Sequence, residues 1–197
     1  MFHLNFDDAL MNSAYLSELW AVNDLLNFKK NFKLAWSDQR EAQLQDEKKH
    51  ARMCLSVLKT ETQNVIYSLD YAMQETIFKK KWTLGHASSD EEFSAIQEVM
   101  ENRALWIYRT YLKVGKNNRY KDVFKAIILD EKIHRQIGKE KNIRFTPIYK
   151  SISTVDRYFF RTYLPSKYGQ MLFSSPQFWN DYYQGYTESA KQPEKQE

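Results

Sequence analysis

One five-residue frame, written twice, constrains this chain more than any other feature. Asp46-Glu47-Lys48-Lys49-His50 returns as Asp130-Glu131-Lys132-Ile133-His134, and the two frames take two of the chain's four histidines. A Glu and a His three residues apart stand on one face of a helix. Each pair therefore offers a carboxylate and an imidazole side by side, a donor set suited to divalent iron or manganese. Two such pairs facing each other make a two-metal site, but four donors leave two cations under-neutralised. Further carboxylates are needed, and they belong on other helices.

The composition allows those helices. Of 197 residues only five are Gly and four Pro, the residues that helix interiors tolerate least. A chain of this length builds one well-buried core, so a single all-α domain is expected. Apolar residues recur at helical spacing over about residues 8–32 (Ala14, Ala21, Val22, Leu25, Phe28) and up to about residue 58 (Leu44, Ala51, Cys54, Leu58). Asp38, with Glu41 three residues on, predicts the start of the second helix. Residues 61–82 predict a further helix or helical crossover ending near Gly85. Ser88 and Ser89, followed by Glu91 and Glu92, predict a third long helix that runs to Val114 and stops at Gly115. Asn117 or Asn118 caps a fourth, through at least Ile137. Nothing alternates with period two, so no strand is expected.

Two of these stripes are broken by an acid. Glu18 stands among Ala14, Ala21, Val22 and Leu25, and Glu101 stands near Ala104, Leu105 and Tyr108. A lone carboxylate in an apolar stripe is costly unless it is paired or binds a metal. Glu18 precedes Glu47 by 29 residues and Glu101 precedes Glu131 by 30, the near-equal spacing of two similar antiparallel helix pairs. Glu98, one turn earlier on the same side, is the alternative to Glu101.

The set Glu18, Glu47, His50, Glu101, Glu131 and His134, with its helix layout, resembles the ferritin-like di-iron carboxylate proteins over roughly residues 10–140. That family folds as a four-helix bundle with one Glu from each of two helices and Glu-x-x-His from each of the other two. The resemblance implies a ferritin-like bundle with additional C-terminal helices, binding two iron ions, or manganese and iron. It also implies that Asp130 supports His50 and Asp46 supports His134, against the plain alternative that each is a surface helix Asp.

Two complete pairs resemble bacterioferritin, rubrerythrin and the oxygenase branches more than the storage ferritins. Rubrerythrin usually brings an iron site of four cysteines, which a chain with one cysteine forbids. A ribonucleotide reductase subunit would carry its radical Tyr where Cys54 stands, and an arylamine N-oxygenase a His at Ile127. The run from Asp130 to Glu140, with Tyr108 two turns after Glu101, is similar to small oxygen-activating members such as the aldehyde-deformylating oxygenases. The function so implied is oxidation of a small apolar organic molecule with O2, with an electron donor such as a ferredoxin or reductase. The alternative is an iron-handling ferroxidase or peroxide scavenger without organic substrate.

Cys54 follows His50 by four residues and Gly138 follows His134 by four, small residues that either leave a substrate channel or simply pack. After Pro147 the sequence is densely aromatic: Tyr149, Tyr158, Phe159, Phe160, Tyr163, Phe173, Phe178, Trp179, Tyr182, Tyr183 and Tyr186. A fifth helix stopped by Pro165 and a short aromatic segment at 176–186 are expected there. They act as a lid, pack on outer helix faces, or form a dimer contact. The domain is expected to span 1–187, with its bundle at about 8–140, the extension at 147–187 and a disordered tail at 188–197. His3 and His86 are expected at the surface. One cysteine and no apolar leader suit the cytoplasm, no stretch suits a membrane, and scattered charge (+4 net) argues against nucleic acid. A monomer or homodimer is expected.

Overall fold

The computed structural model describes residues 5–58, 87–140, 143–156 and 171–189. Four long helices make the bundle: α1 (Phe6–Asn31), α2 (Asp38–Val57), α3 (Asp90–Val114) and α4 (Asn118–Glu140). Two shorter ones follow, α5 (Pro147–Asp156) and α6 (Pro176–Ser189), and no strand occurs among the described residues. The expected helix at 61–82, Gly85, His3, His86, Pro165 and the four aromatics from Tyr158 to Tyr163 lie outside the described residues.

Local chemistry starts and stops these helices. Asn5 caps α1 by accepting from the Asp8 N–H at 2.9 Å. α2 is capped by Ser37, which accepts from the Arg40 N–H; Asp38, expected as the cap, is the first helical residue. Ser89 caps α3, and Glu92 reaches back to the Ser88 N–H at 2.8 Å. Losing such a cap costs about 1 kcal/mol. Asn117, not Asn118, caps α4 through the Arg119 and Tyr120 N–H groups. Gly115 ends α3 for a reason other than a left-handed turn, since its φ is −64°. A Cβ there would stand 2.5 Å from the Tyr111 ring, so only glycine lets the chain leave past that side chain. The segment from Pro176 is a 14-residue helix that takes in Glu188 and Ser189, two residues of the expected tail.

Contacts fix the topology. Lys29 near the end of α1 meets Glu41 at the start of α2 at 2.7 Å, so these helices are antiparallel. Tyr108, late in α3, stacks on Phe124, early in α4, at 4.6 Å, so that pair is antiparallel too. Arg40 near the start of α2 donates to Ser94 and Gln97 near the start of α3, so α2 and α3 run the same way. α2 packs against α4, and α5 and α6 both pack on α3.

The bundle interior is divided in two. One apolar cluster holds Leu10, Leu16, Cys54, Leu105, Tyr111 and Phe124, and α6 adds Phe178, Trp179, Tyr182 and Tyr186 to it. The other holds Leu25, Phe28, Leu44, Phe93, Ile96 and Val99, with Ile152 of α5. Each of the four long helices carries its polar residues of interest between these clusters.

Candidate metal centre

The layer between the clusters is where the two pentapeptides meet. Glu18, Glu47, His50 and Glu131 form one group, and Glu47, Glu101, Glu131 and His134 a second; within each, one donor atom per residue lies within 4.8 Å of the others. Glu47 and Glu131 belong to both groups, so the groups are fused, with Glu18 and His50 at one end and Glu101 and His134 at the other. All six residues are buried. The imidazole centroids stand 6.0 Å apart.

Both rings turn the same edge inward. His50 Nδ1 lies 3.4 Å from Glu18 Oε2 and Glu131 Oε1 and 3.6 Å from Glu47 Oε2, and no well-formed hydrogen bond takes it up. His134 Nδ1 lies 3.3 Å from Glu47 and Glu131 and 3.9 Å from Glu101. The outward nitrogens face carboxylates across the bundle: His50 Nε2 is 3.0 Å from Asp130, and His134 Nε2 is 3.3 Å from Asp46. Each frame's Asp thus serves the other frame's His. A carboxylate behind an imidazole fixes its tautomer and orients the inner nitrogen, as at metal-binding histidines.

A buried cage of four carboxylates and two imidazoles cannot hold every group charged without cations. Burial, with the charges of Glu47 and Glu131, raises Glu18 to about 8 despite its contact with His50. Burial and then the Glu131 charge hold Glu101 well above the usual carboxylate range. Burial works to raise Glu47 and Glu131 as well, but their contacts with His134 and His50, and Glu101 at Glu131, hold both below it. Burial opposes protonation of the imidazoles, yet Glu131 and Glu47 raise His134 to about 11, and Glu131, Glu18 and Glu47 raise His50 strongly. Protons thus do in the metal-free cage what metal cations would do. The donor set, its burial and the inward uncommitted nitrogen of His50 fit a pair of divalent ions.

Neighbouring residues lock the carboxylates. Tyr108 donates to Glu18 Oε1 at 2.6 Å. Gln43 Nε2 donates to Glu101 at 3.1 Å and Glu47 at 3.4 Å. Gln43 was not foreseen, although a polar residue one turn before Glu47 on the buried side of α2 was a signal. Glu101 falls in the second donor group and Glu98 does not: Glu98 is buried but paired with Arg144, with Arg135 at 3.6 Å. Cys54 is buried in the apolar cluster, where burial and then the Glu18 charge push its thiol up. Gly138 lies within α4, which continues to Glu140, so it does not end that helix.

A model of the rubrerythrin family matches residues 11–140, from α1 to the end of α4. The chain belongs to the rubrerythrin family. The rubrerythrin match corrects the expectation that one cysteine excludes this branch. That expectation rested on a four-cysteine iron site, whereas the match covers the helical bundle, whose donors are carboxylates and imidazoles. This rubrerythrin-family chain is thereby a ferritin-like di-iron carboxylate protein, and its two fused Glu/His groups could each hold a metal ion. No curated protein and no solved structure matches the chain. No helix among the described residues is long and apolar enough to cross a membrane.

Proposed function

We propose that the fused groups hold two iron ions, with manganese in place of one as the variant, and use them to oxidise a small apolar organic molecule with O2. The observation that carries this is the apolar cluster against the centre, in which Cys54, Leu105 and Ile127 are buried beside Tyr108. Water exclusion on one side is what oxygen chemistry on an organic molecule needs and what simple iron binding does not. The run from Asp130 to Glu140, similar to the aldehyde-deformylating oxygenases, supports the same direction.

In this reading Glu18 and His50 would hold metal at one end and Glu101 and His134 at the other, with Glu47 and Glu131, which belong to both groups, available to either. Bound iron supplies the redox chemistry. The chain's own part is to orient the donors through Tyr108, Gln43, Asp46 and Asp130, and to keep water from the apolar side. A ferredoxin or reductase supplies electrons, the chain works as a monomer or homodimer, and it resides in the cytoplasm.

Iron oxidation or peroxide removal without organic substrate is the second reading. It is favoured by Asp46 and Asp130, which are a third and a fifth exposed and lie directly behind the histidines, a polar face through which cations could pass. The test is anaerobic loading with Fe(II), then O2, with and without a panel of medium-chain aldehydes and hydrocarbons. Oxidised organic product, with less free peroxide than in the substrate-free control, supports the first reading. Continued oxidation of Fe(II) well beyond two ions per chain, with no organic product, replaces it by the second.

A further inference from the structure

The two frames differ at one place that the structure makes significant. Position four of the first is Lys49; position four of the second is Ile133, which is largely exposed. Lys49 Nζ lies 2.5 Å from Asp130 Oδ2 and 3.4 Å from Asp46 Oδ1. Those are the carboxylates behind His50 and His134. One ammonium therefore stands between the supports of both imidazoles, and no equivalent lysine acts from the other frame.

A surface ion pair by itself stabilises a fold by only about 0–1 kcal/mol. The consequence here is positional. Asp46 and Asp130, on facing helices, are like charges that would turn apart into water without a cation between them. Each would then release the outer nitrogen of its histidine, and the ring would lose the contact that aims Nδ1 into the cage.

We propose that Lys49 is a positioning residue that clamps Asp46 and Asp130 together, aims both imidazoles at once, and so couples the two ends of the metal centre. This rests on the reading that the centre binds two metal ions, and the test separates the two ideas.

The full chain is titrated anaerobically with Co(II), followed by visible absorption, with folding checked by circular dichroism. Lys49 is half-exposed, so its replacement by Met is expected to leave the fold intact. His134→Ala leaves only the His50 end to be read, and His50→Ala only the His134 end. Lys49→Met is expected to weaken Co(II) binding about tenfold or more in both backgrounds, within the range typical of residues that support metal ligands. Lys49→Arg restores most of it. Asp130→Asn weakens only the His50 end and Asp46→Asn only the His134 end. Lys125→Met, which removes a surface partner of Asp122, changes neither. Unchanged binding in Lys49→Met, or a loss at one end alone, overturns the clamp while leaving the metal centre standing. Absence of Co(II) binding by the unaltered chain overturns the metal reading itself and the clamp with it.

Discussion

Tyr108 on α3 donates its hydroxyl hydrogen to Glu18 on α1 at 2.6 Å, inside the bundle, and its ring belongs to the apolar cluster. Burial, then the Glu18 charge, pushes the phenol well above its ordinary pKa, so it remains a donor at every working pH. Tyr108→Phe removes the donor and leaves a buried carboxyl oxygen without it. The expected loss is about 1–3 kcal/mol in the metal-free chain, measured by urea unfolding. An unchanged midpoint would show that this bond contributes nothing to the fold.

Because Glu47 and Glu131 belong to both groups of donors, their loss differs from that of the end residues. Glu47→Ala or Glu131→Ala is expected to abolish binding of both ions. Glu18→Ala or Glu101→Ala is expected to leave about one ion per chain from a two-ion site. Elemental analysis after anaerobic iron loading counts them; equal loss in all four variants would refute the sharing.

Glu98 and Glu101 are separable by the same assay. Glu98→Gln is expected to keep the metal content, because Arg144 holds that carboxylate away from the cage. It should instead cost roughly 1–3 kcal/mol, since Arg135 and Arg144 lose a buried partner. Metal loss in Glu98→Gln would reverse the assignment.

Proton release on metal binding follows from the crowded cage. His50 and His134 are raised, Glu18 stands at about 8 and Glu101 lies well above the usual carboxylate range, so the cage favours holding protons, against Glu47 and Glu131, which are held low. Ligands bind metal in the deprotonated form, so metal binding expels protons. Affinity therefore rises with pH and falls as pH is lowered from 8 to 6. Calorimetry in buffers of different ionisation enthalpy gives the number; a pH-independent affinity would refute the protonated cage.

The aromatic rings of α6 have their partners within the chain. Phe178, Trp179, Tyr182 and Tyr186 are buried in the same cluster as Tyr111 and Phe124, and Phe178 touches Phe6 of α1. These four rings are therefore part of the chain's own core. Phe178→Ala is expected to cost about 3–5 kcal/mol in thermal or urea unfolding. Removing the chain from Pro176 onward should lower stability without halving the mass in size-exclusion chromatography. A stable, active monomer from a former dimer would show the opposite.

The duplicated frame and the two interrupted stripes pointed to the six residues that the structure brings together, because a Glu-x-x-His pair and a buried acid each leave a periodic mark on one helix. The four long helices were legible for the same reason, to within a few residues at their ends. Which of Ser37 and Asp38 caps α2 depends on backbone angles that periodicity does not report. The assignment of Glu101 over Glu98 was not legible either, since both face the same side of α3 and only Arg144, 46 residues away, takes one of them out of contention. Gln43 and Lys49 act across helices, on Glu101 of α3 and Asp130 of α4. The sequence by itself determined which groups could bind metal and that they repeat. Tertiary packing decided which of them belong to both donor groups, which aspartate backs which histidine, and that α6 completes the core. Those relations join residues far apart along the chain, and only the close approach of helices turns a pattern into a contact.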